Sequence, residues 1–160
     1  EKIMQVHNTT TIRHGLVVVG QPFAGKSTAI TTLADALTSA IGSRSLKTVL
    51  SWINPKALTL GQLYGENDAS LEWHDGILSH IFRNASTGTQ SDAKWIILDG
   101  PVDAVWVESM NTVLDDNRKL CLLNGDMIPM GEGMRMLFEV QDLRCASPAT
   151  VSRCGMVYMD

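Results

Sequence analysis

Residues 16–28 constrain the possible folds of this chain more than any other stretch. The apolar run Leu16–Val19 is typical of a buried strand, the segment GQPFAGKS follows at Gly20–Ser27, and a helical pattern begins at Ser27. The segment fits the phosphate-binding pattern G-x-x-x-x-G-K-[ST], known as a P-loop. Because strand, glycine-containing loop and helix occur in the required order, the sequence predicts a phosphate-binding α/β domain. The alternative is a turn that matches the pattern by chance.

The loop residues have separate predicted roles. Gly20 and Gly25 allow the backbone to wrap around an anion, so that successive N–H groups point at phosphate oxygens. Lys26 is expected to neutralise the β- and γ-phosphates, and the Ser27 hydroxyl to ligate Mg²⁺. The predicted nucleotide-binding residues of this stretch are Gly20, Gln21, Pro22, Phe23, Ala24, Gly25, Lys26, Ser27 and Thr28.

The rest of the chain predicts strands that alternate with helices. The expected strands are 16–20, 47–53, 95–99, 134–140 and 155–159, all buried. The expected helices are 3–13, 27–41 with Gly42 as C-cap, 71–84, 102–114 and 148–153. We expect a loop at 56–70, an exposed segment at 86–92 and a hairpin at 120–130 around Asn124-Gly125. This pattern predicts a parallel sheet with helices on both faces and a ligand at the carboxyl ends of its strands.

Composition excludes several classes of partner. A length of 160 residues suits one domain, and a net charge of -4 without a Lys/Arg cluster argues against nucleic-acid binding. No apolar run approaches 18 residues, so we expect no membrane span. The three cysteines lack metal-type spacing, and their odd number suits a reducing compartment. The chain begins without methionine and ends just after an apolar run, which suggests a piece of a longer protein.

Asp99 directly follows a predicted strand. A carboxylate at such a strand end is typical of the acid that holds Mg²⁺ near a P-loop, and the alternative is a turn cap. Hydrolytic P-loop ATPases of this type usually carry a glutamate next, but here Gly100 follows. The nearest later carboxylates, Asp103 and Glu108, fall on the predicted helix. Because loss of a general base costs about 10²–10⁴ in rate, we expect the site to hold ATP far longer than it hydrolyses it.

Two further residues each have two open interpretations. Asp142 follows the predicted strand 134–140 and either approaches the γ-phosphate and the attacking water or caps a turn. A carboxylate facing phosphate is repulsive, which would again disfavour hydrolysis. Arg153 precedes the last strand and is either an ordinary solvated charge or an arginine finger that reaches a neighbouring subunit's nucleotide.

Six segments resemble the dynein heavy chain family, most closely the second AAA+ module of its motor ring in the axonemal group. They are GQPFAGKST (20–28), INPKALTLGQLYG (53–65), WHDGIL (73–78), LDGPVDAVWVESMNTVLDDN (98–117), LLNGDMIPM (122–130) and FEVQDLRCASPATVSRCGMVYMD (138–160). The resemblance runs nearly from end to end. The strings DGPVDAVW and SPATVSRCGM are far more specific than a P-loop alone.

The resemblance implies a fold and a site. The fold would be the large α/β subdomain of an AAA+ module over residues 1–160, with sheet order 5-1-4-3-2, insertions at 56–70 and 120–130, and no helical lid subdomain. The site would bind ATP or ADP with Mg²⁺ in a structural or regulatory role, with Ser27 and Asp99 as metal residues. Arg153 matches the finger position, and Asp142 matches the first sensor position, where active modules usually have asparagine.

The resemblance also implies partners and a location. The partners would be neighbouring AAA+ modules of the same heavy chain, other dynein chains and, through the full-length motor, microtubules. The location would be cytoplasmic and cytoskeletal, in the axoneme of a cilium or flagellum.

Two other functions are consistent with parts of the sequence. One is a structural ring spacer that no longer binds nucleotide. The other is an autonomous P-loop kinase or GTPase. A GTPase should carry an N-K-x-D string, which is absent, and a small-molecule kinase usually has an arginine-rich lid, whereas Arg44 is the only arginine between Arg13 and Arg83.

Overall fold

The computed structural model describes residues 1–40, 47–88 and 92–159. Its strands are β1 (Gly15–Gly20), β2 (Thr48–Ile53), β3 (Gly65–Asn67), β4 (Trp73–Asp75), β5 (Ala93–Asp99), β6 (Lys119–Cys121), β7 (Met127–Pro129), β8 (Met134–Val140) and β9 (Gly155–Met159). Its α-helices are α1 (Lys2–Ile12), α2 (Lys26–Ala40), α3 (Leu60–Tyr64), α4 (Ile77–Thr87), α5 (Ala104–Val107), α6 (Asn111–Leu114) and α7 (Pro148–Arg153). Short 3₁₀ helices cover Pro55–Ala57 and Glu108–Met110. The predicted end of α2 at Ile41 and Gly42, and positions 89–91 of the predicted exposed segment, lie outside the described residues.

Five strands form one parallel sheet in the order β2-β5-β8-β1-β9. The strand numbers differ from those of the predicted order, 5-1-4-3-2, because the numbering used here also counts the four short hairpin strands β3, β4, β6 and β7. Numbered among themselves along the chain, the five sheet strands read 5-1-4-3-2 across the sheet. The predicted α/β class with a parallel sheet is confirmed.

The strands distribute their side chains alternately between two apolar clusters, one on each face of the sheet. In β1, Leu16 and Val18 face one cluster, whereas Val17 and Val19 face the other. The first cluster lies beneath α1 and α2 and includes Ile30 and Leu33 of α2. The second lies beneath α3 to α6 and includes Leu78, Phe82 and Trp106. This alternation has a period of two residues, so it fixes which polar side chains at the strand ends share a face.

The prediction that all five strands are buried is wrong for the two edge strands. Val49 and Trp52 of β2 are 38% and 40% exposed, and Met156 and Tyr158 of β9 are 37% and 53% exposed. Each edge strand has a partner on one side only, so helices cover it less completely than the central strands.

The segment 56–84 is more structured than the predicted loop and helix. Thr59 and Gln62 form a reciprocal capping box that starts α3 within the predicted loop. The segment β4 forms a hairpin with β3, so the helix expected from position 71 begins at Ile77 instead. Short strands of three residues give too little alternation for a sequence pattern to reveal them.

The predicted helix 102–114 is interrupted. It consists of α5, a 3₁₀ turn and α6, and Val105 of α5 is 69% exposed. The predicted hairpin is confirmed as β6–β7, with Gly125 at a positive φ in its turn. Arg83 of α4 links the two hairpins, because its guanidinium donates to both Asp75 and Asp126. Within the part of the chain described here, no helix is long and apolar enough to cross a membrane.

Candidate functional site

The predicted P-loop joins the end of β1 to the start of α2. Its backbone enters the left-handed region at Phe23, with φ of 67°, and at Gly25, with φ of 83°. The Phe23 side chain is fully exposed, so burial of this side chain does not offset the backbone strain. Backbone of this kind turns successive N–H groups inward and forms a concavity suited to an anion. The first N–H groups of α2, which have no partner within the helix, lie beside the same concavity.

Lys26 brings a buried positive charge to this loop. Its residue is 9% exposed, and its Nζ donates to the carbonyl oxygens of Gly20, at 2.7 Å, and Gln21, at 3.0 Å. Both partners are neutral backbone groups that belong to the loop itself. A buried ammonium is costly unless opposite charge lies near it. The nearby Glu139 carboxylate supplies part of that charge, and an anionic ligand in the loop would add to it.

The Ser27 hydroxyl does not donate to the predicted metal acid Asp99. It donates instead to Oε1 of Glu139, at 2.7 Å. In the sheet register, Glu139 of β8 lies beside Asp99 of β5 and beside Val18 of β1. Since Val18 faces the α2 side of the sheet, both carboxylates lie on that side, next to the start of α2. The structure therefore brings together Lys26, Ser27, Asp99 and Glu139.

Glu139 lies in an electrostatic environment that disfavours its ionised form. Burial raises the pKa of its carboxyl above the usual value, the hydrogen bond from Ser27 opposes that rise, and the nearby charge of Asp99 adds to it. Positive charge beside the pair would offset the cost of ionising both groups. Oxygen ligands of this kind are those that Mg²⁺ prefers, so the residues fit the predicted ion.

A cleft of about 540 Å³ opens over these residues at the carboxyl ends of the strands. Its lining comprises Pro22, Phe23, Lys26, Lys56, Asp99, Gly100, Pro101, Glu139, Val140, Gln141, Asp142 and Cys145. Gln141 also donates to the Gln21 side chain at 3.1 Å, which connects the end of β8 to the P-loop. The cleft is where strand topology predicts a ligand in a parallel α/β sheet.

Gly100 occupies a backbone conformation that suits only glycine. Its φ is 150°, and its N–H donates to the carbonyl of Glu139 at 3.1 Å. The following turn is fixed because the Trp106 indole donates to the Pro101 carbonyl at 3.1 Å. Asp103, one of the two nearest later carboxylates, accepts from backbone N–H groups at the start of α5 and so acts as its N-cap. The position that would carry a catalytic glutamate is therefore constrained by backbone conformation as well as by residue identity.

Asp142 and Arg153, which the sequence left with two interpretations each, lie in different places. Asp142 is at the cleft, whereas Arg153 is not. Asp142 lines the cleft, and it also closes a turn by accepting from the Arg144 backbone at 3.0 Å. Arg153 is partly buried, and its guanidinium forms an ion pair with Asp115 and donates to the Ala149 carbonyl at 2.8 Å. Arg153 does not line the cleft over its own P-loop.

Sequence reasoning missed Glu139, Lys56 and Gln141. A signal for Glu139 was present, because it is an acidic residue within the apolar strand MRMLFEV, one strand away from the P-loop. Strand parity then pairs Glu139 with Leu137 on the face of α2. Lys56 and Gln141 each follow the carboxyl end of a sheet strand, where ligand-facing residues collect.

The parallel sheet and the glycine-containing loop after β1 are consistent with one class of protein, the AAA+ P-loop domains. No protein-family model matches the chain. It is 52% identical over 163 residues to dynein axonemal heavy chain 3 of Mus musculus, covering 99% of this chain and 4% of that protein. It is 52% identical over 166 residues to dynein axonemal heavy chain 1 of Homo sapiens, with the same coverage. It is 48% identical over 165 residues to dynein axonemal heavy chain 12 of Mus musculus, covering 100% of this chain and 5% of that protein.

These relatives confirm the predicted resemblance to axonemal dynein heavy chains over nearly the whole chain. The chain spans 4% to 5% of the length of these curated relatives. It is thus related to one segment of a much longer kind of protein.

The conformation of Gly100 can be tested by adding only a methyl group. We expect Gly100→Ala to lower the free energy of unfolding by about 1–3 kcal/mol, because the alanine must adopt a sparsely populated backbone conformation. Gly131→Ala is the matched control, since its added Cβ would meet the Met134 sulfur at an ordinary 3.7 Å. Chemical denaturation measures both variants. Equal stability of Gly100→Ala and the parent chain would contradict the conformational argument.

Proposed function

We propose that this chain is a nucleotide-binding AAA+ module of an axonemal dynein heavy chain, and that it holds Mg²⁺ with ATP or ADP without efficient hydrolysis. The observation that carries the proposal is the convergence of a buried Lys26, Ser27 and two carboxylates below a strained loop. Lys26 and the loop N–H groups would bind phosphate oxygens. Ser27 and Asp99 would hold Mg²⁺, which would neutralise phosphate charge when bound.

Weak hydrolysis is the second part of the proposal. Gly100 supplies no base directly after Asp99, and its φ of 150° resists replacement by glutamate. Asp103 is engaged as a helix cap and Asp142 in a turn. Together with the resemblance, these features favour a regulatory or structural role, and we infer that the chain corresponds to the second module of the motor ring. Its partners would be neighbouring modules, other dynein chains and microtubules, and its location the axoneme.

Nucleotide binding is tested by titrating the chain with a fluorescent ATP analogue in the presence of Mg²⁺. We expect Lys26→Ala to weaken binding about tenfold to a hundredfold, because a hydrogen bond to a charged group contributes about 1.5–3 kcal/mol. Lys47→Ala is the matched control. Lys47 precedes the amino end of β2, whereas the loop follows the carboxyl end of β1, so the two lie at opposite ends of the parallel strands. Thermal unfolding without nucleotide checks that both variants are folded. Failure of the parent chain to bind ATP or ADP would favour the spacer function.

Arg153 is proposed to serve a neighbouring module's nucleotide as an arginine finger. Its position away from its own cleft supports the proposal, although the ion pair with Asp115 would have to open. In a full heavy chain, we expect Arg153→Ala to lower microtubule-stimulated ATP hydrolysis by about 10³-fold or more at the neighbouring site. Arg144→Ala is the control, because the Arg144 side chain is 89% exposed. An unchanged rate for Arg153→Ala would remove this assignment.

A further inference from the structure

Glu139 has one carboxylate oxygen, Oε2, that is buried without a hydrogen-bond partner among the described residues. The residue is 6% exposed. Its Oε1 accepts the hydrogen bond from Ser27. A buried carboxylate oxygen without a partner is unfavourable, and such groups in folded proteins usually mark a bound water, an ion or a functional site.

The surroundings of this oxygen indicate a cation. Asp99 lies beside Glu139 in the sheet register, so two carboxylates converge on the face of α2. Lys26 is the nearby positive charge that influences Glu139, but its Nζ already donates to two carbonyl oxygens of the loop. A divalent ion with its bound water would supply both the positive charge and the missing hydrogen-bond donor.

The hydrogen bond between Ser27 and Glu139 also sets the direction of the serine hydroxyl. A hydroxyl has one donor and two acceptor lone pairs. Because the proton of Ser27 is directed to Glu139, the lone pairs of its oxygen remain available to a cation. A carboxylate that fixes a metal ligand in this way typically changes metal affinity about tenfold to a hundredfold when it is removed.

We propose that Glu139 is a positioning residue of the magnesium site: it orients the Ser27 hydroxyl toward the ion and accepts, through Oε2, a hydrogen bond from an ion-bound water. This inference rests on the proposed function and extends it. It separates the roles of the two acids. Glu139 is buried and holds Ser27, whereas the exposed Asp99 faces the open cleft.

The test compares nucleotide affinity with and without Mg²⁺, using a fluorescent ATP analogue in Mg²⁺ or in a chelator. We expect Glu139→Gln, which keeps the size but removes the charge, to weaken binding about tenfold to a hundredfold in Mg²⁺. In the chelator we expect equal or tighter binding than in the parent chain, because a negative charge near the phosphates is gone. Glu132→Gln is the matched control: it makes the same change at an exposed glutamate that precedes the amino end of β8, and we expect its Mg²⁺ dependence to equal that of the parent.

A double-mutant cycle tests whether Glu139 acts through Ser27. We expect Ser27→Ala to reduce the Mg²⁺ dependence, and the double variant Ser27→Ala/Glu139→Gln to lose less than the sum of the two single losses. Thermal unfolding without nucleotide separates positioning from a purely structural role. Because Oε2 has no partner to lose, Glu139→Gln should be at least as stable as the parent chain.

The outcomes distinguish failure of this inference from failure of the proposed function. If the parent chain shows no Mg²⁺-dependent nucleotide binding, the proposed function fails and this inference falls with it. If the parent shows that dependence and Glu139→Gln keeps it unchanged, only the role of Glu139 is overturned. Equal losses for Glu139→Gln in Mg²⁺ and in chelator, or a clear loss of stability without nucleotide, would likewise overturn it.

Discussion

The ammonium group of Lys26 is the charge on which the arrangement of the site depends. It is buried where β1 passes into α2, and it donates hydrogen bonds to the neutral carbonyl oxygens of Gly20 and Gln21. The same loop has a strained backbone conformation at Phe23, with φ of 67°. The strand β1 lies between β8 and β9. Pairing on both sides fixes its carboxyl end, where the loop starts. A phosphate in the concavity would meet the lysine charge and the loop N–H groups together.

The acidic half of the site follows from sheet parity. Side chains two residues apart share a face, so Glu139 follows Leu137 and lies on the side covered by α2. Parallel register then sets Asp99 beside it. The same turn that begins after Asp99 places Gly100 at a φ suited to glycine. The proposed metal acid Asp99 and the glycine in place of a base therefore stand next to each other at one strand end.

Sequence patterns were sufficient where an element is long or chemically marked. The strand β8 and the strand β9 have the predicted bounds, and Ser147-Pro148 marks the start of α7 through its N-cap and proline. Patterns were insufficient where pairing across the chain decides the structure. The three-residue strands β3 and β4 are stable through each other and through Arg83, and neither partner predicts the other locally. Glu139 lies within a predicted strand, but its place beside Asp99 and Ser27 depends on neighbouring elements that the local pattern does not show.

We propose that the site holds nucleotide without splitting it, and the fate of prebound ATP distinguishes retention from hydrolysis. ATP labelled at the γ-phosphate is bound to the chain with Mg²⁺ and chased with excess unlabelled ATP. We expect the label to leave mainly as intact ATP, because no base follows Asp99 and a lost base costs about 10²–10⁴ in rate. Release of the label mainly as inorganic phosphate would contradict it.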